Sequence, residues 1–105
     1  SAGADIIHSS LGYSTFDIAS MDYTTDQLDG ETTVVTRAAQ LAFSKGMVVV
    51  TSAGNEGNDA SWRIITGPAD GKDVLAIGNI NSFGVRSPSS SMGPSADGRI
   101  KPDLV

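Results

Sequence analysis

The segment that most constrains the fold of this chain is an apolar run at residues 47–52, Met-Val-Val-Val-Thr-Ser, followed at once by Ala-Gly-Asn-Glu-Gly. A near-continuous run of this kind is typical of a strand buried on both faces, as in a parallel sheet covered by helices. Small residues end the strand abruptly and leave the amide of Asn55 at the tip of a turn. Backbone N–H groups and an amide on a rigid strand end can hold an anionic or carbonyl oxygen. The sequence therefore predicts a ligand-binding turn.

A helix is predicted immediately before this strand. Apolar side chains recur at helical spacing over residues 34–45. Thr32 or Thr33 is suited to the N-cap, and Gly46 is suited to the left-handed conformation that ends many helices.

Two further strands are predicted, at residues 4–9 and 74–79. Strand, helix and strand make a βαβ unit, so the fold class is α/β with a parallel sheet and a right-handed crossover. Three strands and one helix cannot cover both faces of such a sheet. We therefore expect the chain to be part of a larger α/β domain and to expose apolar surface when alone. Such a surface predicts a homo-oligomer of the isolated fragment.

Composition excludes several classes of function. The net charge is −5 without any Lys/Arg cluster, which argues against nucleic acid as a partner. The sequence has no cysteines, which excludes disulfides, zinc sites built from thiolates and a thiol nucleophile. No apolar run is long enough to span a bilayer. The turn at residues 54–57 lacks the glycine spacing of a nucleotide-binding loop, which leaves a nucleotide-binding domain as the weaker alternative.

An acidic segment between Asp17 and Glu31 could attract a cation, and residues 13–31 are predicted to run over the surface. The spacing of Asp22, Asp26 and Asp29 does not match the ligands of an EF-hand loop. A solvated acidic loop is the favoured interpretation, and no metal or cofactor is expected.

Taken together, the segments resemble the central part of subtilisin-like serine proteases, the subtilases. Residues 4–12 resemble the strand ending in Ser-Leu-Gly that lines the substrate cleft. Residues 46–57 resemble the strand and turn that carry the oxyanion asparagine, and residues 68–78 resemble the pocket wall and the next core strand. The Ser-rich turn at 89–94 and the Lys-Pro-Asp segment at 101–105 resemble the stretch that precedes the nucleophile.

The resemblance implies roles for individual residues. Asn55 would donate its side-chain amide to the oxyanion of a tetrahedral intermediate, although an asparagine is also common in plain turns. An extended substrate would pair with the Ser-Leu-Gly edge, which could otherwise simply end a strand. Small residues would wall the pocket and leave room for a sizeable apolar substrate side chain. The substrate-binding residues implied are Ser10, Leu11, Gly12, Ser52, Ala53, Gly54 and Ala69.

The resemblance also implies what this chain lacks. Subtilases place their catalytic Asp and His before this region and their Ser after it. His8, the only histidine, lies within the first strand and is interpreted as a core or edge residue. We therefore interpret residues 1–105 as the central part of a serine endopeptidase domain of three-layer α/β/α type, truncated at both ends and inactive alone. It would act on peptide or protein substrates, outside the cytoplasm by family resemblance. The alternative is a non-catalytic pseudoprotease or peptide-binding module.

Overall fold

The computed structural model describes residues 3–15 and 17–105, so Ser1, Ala2 and Phe16 of the predicted unit lie outside the described residues. Three parallel strands form one sheet in the order β1-β2-β3, with β1 at Ile6–Ser9, β2 at Val48–Ser52 and β3 at Leu75–Ile77. Between β1 and β2, the described residues form two 3-10 helices, at Ala19–Met21 and Thr25–Gln27, and then the α-helix α1 at Val34–Ser44. The predicted α/β class with a parallel sheet is confirmed.

Strand β2 lies at the centre of the sheet and has one covered face. Ile6 pairs with Val48 on one side, and Val50 pairs with Leu75 on the other. Val49 is buried against Ala39 of α1, whereas Val48 is 46% exposed. The expectation of a strand buried on both faces is therefore met on the helix face only. A single helix covers one side of the sheet, and apolar side chains of the other side remain open to solvent.

A buried polar network fixes the start of α1. Thr33 is the N-cap, since its hydroxyl accepts a hydrogen bond from the Thr36 N–H at 3.3 Å. The Thr36 hydroxyl donates to Asp70 Oδ1 at 2.5 Å, and the Gly30 N–H donates to Asp70 Oδ2 at 2.9 Å. Asp70 is fully buried, which is tolerable because these donors satisfy its carboxylate. At the other end of the helix, Gly46 has φ +91°, the left-handed conformation predicted for it.

The acidic segment before the helix is attached to the body of the chain at Leu28. Leu28 is fully buried, and its carbonyl accepts a hydrogen bond from the Ala96 N–H at 2.9 Å. Hydrogen bonds from the Glu31 N–H and from Thr32 hold the pKa of Asp29 below its ordinary value.

In the described part of the chain, no group of three or more His, Cys, Asp or Glu residues is placed to hold a metal ion. Within residues 3–15 and 17–105, no helix is long and apolar enough to cross a membrane.

The end of the chain runs beside β3. Leu104 makes a parallel bridge to Ile77, and the Gly78 N–H donates to the Leu104 carbonyl at 2.8 Å. Just before this bridge, the Lys101 ammonium donates to the Val74 carbonyl and to Asp103 Oδ2, both at 2.7 Å. The Lys101 side chain is only 3% exposed, so this ion pair belongs to the interior.

Candidate functional site

A cleft opens where the carboxyl ends of the three strands meet. Its volume is about 470 Å³. Because loops that follow parallel strands converge at this edge, open α/β sheets usually bind ligands there. The lining residues come from all three strands and the turns after β2 and β3: His8, Val50, Thr51, Ser52, Gly54, Asn55, Ile77, Gly78 and Asn79.

The turn after β2 presents Asn55 at this cleft. The Ala53 N–H donates to the Ile77 carbonyl at 2.9 Å, and the Gly54 N–H donates to the Ser52 hydroxyl at 3.2 Å. Gly54 has φ +109°, which a side chain at this position would oppose. Asn55 itself is exposed, and no hydrogen bond joins its amide to another residue of the described chain. The turn is therefore held by its neighbours while the amide stays available.

A second, smaller cavity of about 100 Å³ adjoins the turn. The Ser-Leu-Gly edge after β1 forms one side of it and the turn after β2 forms another. The predicted residues Ser10, Leu11, Gly12, Ser52, Gly54 and Asn55 all line this cavity, together with Ser14, Glu56 and Thr66. Ala53 and Ala69, also predicted for the pocket wall, are instead almost completely buried in a core cluster with Ile65 and Ala76.

Thr66 is one of the three lining residues that were not predicted from the sequence, and its side chain lies against both glycines of the cavity. A Cβ added at Gly12 would overlap its hydroxyl, and one added at Gly54 would lie 2.8 Å from it. Thr66 is 5% exposed, and its buried hydroxyl has no hydrogen-bond partner among the described residues. The absence of a side chain at the two glycines thus leaves room for the Thr66 side chain at this cavity.

A sequence model of the subtilase family matches residues 1–105 in full. The chain belongs to the subtilase family. Among its relatives, subtilisin NAT of Bacillus subtilis subsp. natto and subtilisin of Bacillus pumilus are each 35% identical to it over 79 residues. That alignment covers 73% of this chain, but only 21% and 29% of the two subtilisins. This subtilase segment therefore spans between a fifth and a third of their length.

Solved structures show the same likeness. The prenylagaramide maturation protease PagA superimposes with a TM-score of 0.63 at 25% identity, covering 90% of this chain and 28% of PagA. A serine-to-alanine mutant of the PatA protease domain gives a TM-score of 0.62 at 28% identity, covering 90% of this chain and 29% of that domain. The predicted membership of the family is confirmed.

His8 is the one histidine of the sequence. His8 is exposed on the edge strand β1 and faces the larger cleft. No hydrogen bond joins its imidazole to a serine or a carboxylate in residues 3–15 and 17–105. After the turn, the Ser61 hydroxyl and N–H donate to Asp59 and hold the pKa of that carboxyl below its ordinary value. Asp59 lines neither of the two cavities.

Proposed function

We propose that this segment supplies the oxyanion donor, the substrate-binding edge and part of the specificity pocket of a serine endopeptidase. The observation that carries the proposal is the position of Asn55, which lines both the strand-end cleft and the small pocket beside the Ser-Leu-Gly edge. A peptide that enters the pocket would bring its scissile carbonyl next to this amide.

The amide would act on charge that exists only during the reaction. Attack on a peptide carbonyl converts its oxygen to an oxyanion, and a preorganised donor binds that oxyanion more strongly than it binds the substrate. Asn55 suits this role because its amide is unoccupied and its turn is fixed to β2 and β3.

The edge formed by Ser10, Leu11 and Gly12 would hold the substrate chain. All three residues are exposed, and they continue the edge strand β1. An extended peptide can pair with such an edge through main-chain hydrogen bonds. Substrate main chain would then be held on one side of the pocket and the oxyanion on the other.

The nucleophile would lie outside residues 1–105, and the segment alone would be inactive. To test this, the complete native protein is treated with diisopropyl fluorophosphate, which labels activated serines, and the labelled peptide is mapped. We expect one labelled serine, outside this segment, and loss of peptidase activity on labelling. A label on a serine within residues 1–105 would refute the proposal. Tight binding of peptides with neither labelling nor hydrolysis would identify a non-catalytic peptide-binding module instead.

Thr66 would restrict the pocket to small substrate side chains. An apolar cavity of about 150 Å³ can hold a benzene ring, whereas this pocket measures about 100 Å³ and contains the unpaired Thr66 hydroxyl. We expect the complete enzyme to cleave after Ala or Ser in preference to Phe. Thr66→Ala should raise kcat/KM for Phe relative to Ala by about tenfold or more, the usual effect of one or two added carbons in a pocket.

The matched control is Thr66→Val, which keeps the size of the side chain but removes the hydroxyl. It should still exclude Phe, and it should lose any preference for Ser over Ala. If the unmodified enzyme has equal kcat/KM for cleavage after Phe and after Ala, and Thr66→Ala does not change that ratio, Thr66 does not restrict the pocket.

A further inference from the structure

The serine turn, residues 89–91, runs alongside the turn that carries Asn55. The Gly57 N–H donates to the Ser89 carbonyl at 3.0 Å, and the Ser91 N–H donates to the Gly54 carbonyl at 3.0 Å. Between these two bonds, the Glu56 N–H donates to the Ser91 hydroxyl at 2.9 Å. The two turns are therefore joined at three successive points.

Ser91 holds the residues on both sides of Asn55. Its N–H binds the carbonyl of Gly54, and its hydroxyl binds the N–H of Glu56. A Cβ added at Gly54 would lie 2.9 Å from the Ser91 hydroxyl, so the two turns pack without space for a side chain between them. Ser91 is 1% exposed, which means that bulk water has little access to replace the hydroxyl if it is removed.

We propose that Ser91 is a positioning residue for Asn55, an inference that rests on the oxyanion role proposed for Asn55. Ser91 lines neither the larger cleft nor the small pocket, so it would act through Asn55 and not on substrate. An oxyanion donor must lie about 2.7–3.1 Å from the developing charge. Displacing a catalytic group by about 1 Å can slow a reaction about 100-fold. Fixing the backbone on each side of Asn55 restricts such displacement.

The test compares two neighbouring serines in the complete native protein. Ser91→Ala removes the acceptor of the Glu56 N–H and is expected to lower kcat about tenfold, with KM changed less than about twofold, since the misplaced donor acts on the transition state. Ser90→Ala is the matched control, because Ser90 is 2% exposed and its hydroxyl accepts one backbone hydrogen bond, from Asn79 at 2.9 Å. It should leave kcat within about twofold of the unmodified protein.

A double-mutant cycle shows whether Ser91 works through Asn55. When Asn55 is already alanine, adding Ser91→Ala should change kcat by less than about twofold. A full tenfold loss in that background would mean an independent effect and would overturn the inference. If Asn55→Ala slows the enzyme but Ser91→Ala does not, the positioning role fails and the proposed function survives. If Asn55→Ala has no effect, the proposed function itself fails.

Two further variants separate positioning from folding. Ser91→Thr retains the hydroxyl but adds a methyl group to a closely packed turn, so its kcat should lie below the unmodified value and above that of the alanine variant. Ser91→Cys has nearly the same shape as serine but a weaker acceptor, so its kcat should lie between those of the unmodified protein and the alanine variant. The cysteine variant replaces the alanine variant in the test if the alanine variant does not fold. A kcat for the Thr variant no higher than that of the alanine variant would contradict the role of the hydroxyl.

Discussion

Replacing Asn55 with alanine in the complete protein is expected to lower kcat by about 100- to 1,000-fold, a magnitude taken over from the oxyanion asparagine of subtilisin itself. KM should change little, because the amide is proposed to bind the oxyanion of the transition state and not the ground-state carbonyl. The measurement is the determination of kcat and KM with a peptide substrate that has alanine immediately before the scissile bond.

The size of this effect depends on how firmly the amide is held. Gly54 is fixed on one side by the Ser52 hydroxyl and Glu56 on the other by the Ser91 hydroxyl. These bonds restrict the backbone from which the amide projects, and a donor on a restricted backbone requires less reorganisation when charge develops than water does. Removing the amide leaves the rest of the cleft unchanged, so substrate should still bind.

Two variants serve as controls for Asn55. Asn55→Asp keeps the shape but places an acceptor and a negative charge where the oxyanion forms, so it should be at least as slow as the alanine variant. Asn58→Ala changes an exposed amide of the same loop that lines neither cavity. It should leave kcat unchanged. An Asn55→Ala enzyme within about threefold of the unmodified rate would be incompatible with an oxyanion role.

The elements set by local pattern could be predicted closely from the sequence. The helix was expected at residues 34–45 and is found at Val34–Ser44, because its apolar spacing, its Thr33 cap and Gly46 all act within a few residues. The third strand was expected at residues 74–79 but is limited to Leu75–Ile77. The Gly78 and Asn79 N–H groups instead bind the Leu104 carbonyl and the Ser90 hydroxyl, which lie far along the chain.

In the site, too, the features that follow from local sequence pattern could be predicted, whereas those that depend on packing between distant segments could not. Asn55 and the Ser-Leu-Gly edge follow predicted strands, and parallel strands bring their carboxyl ends together. Thr66 follows no such rule, since it reaches the pocket through contacts with Gly12 and Gly54 that no local spacing reveals. The placement of Ser91 beside Asn55 likewise depends on how the serine turn packs. The proposed homo-oligomer remains a prediction, supported only by exposed apolar side chains such as Ile6 and Val48.

Replacing Lys101 with methionine is expected to lower the free energy of unfolding of the complete protein by about 3 kcal/mol. The buried ammonium donates to the Val74 carbonyl and to Asp103, and methionine fills similar space without donating to either. Removing one member of a buried ion pair costs about 3–5 kcal/mol, because the other charge loses its partner. The lower end of that range applies here, since Asp103 is 31% exposed and keeps a hydrogen bond from the Ala76 N–H.

The control is the same substitution at an exposed ion pair. Lys72 and Glu31 approach to 3.1 Å, but their side chains are 48% and 74% exposed. Lys72→Met should therefore change the free energy of unfolding by only about 0–1 kcal/mol. Both variants are compared by urea denaturation followed by circular dichroism, with a covalent serine-protease inhibitor bound to prevent self-digestion. Equal losses for the two variants would show that burial of the Lys101 ammonium contributes nothing specific, and that water or another donor replaces it at the Val74 carbonyl.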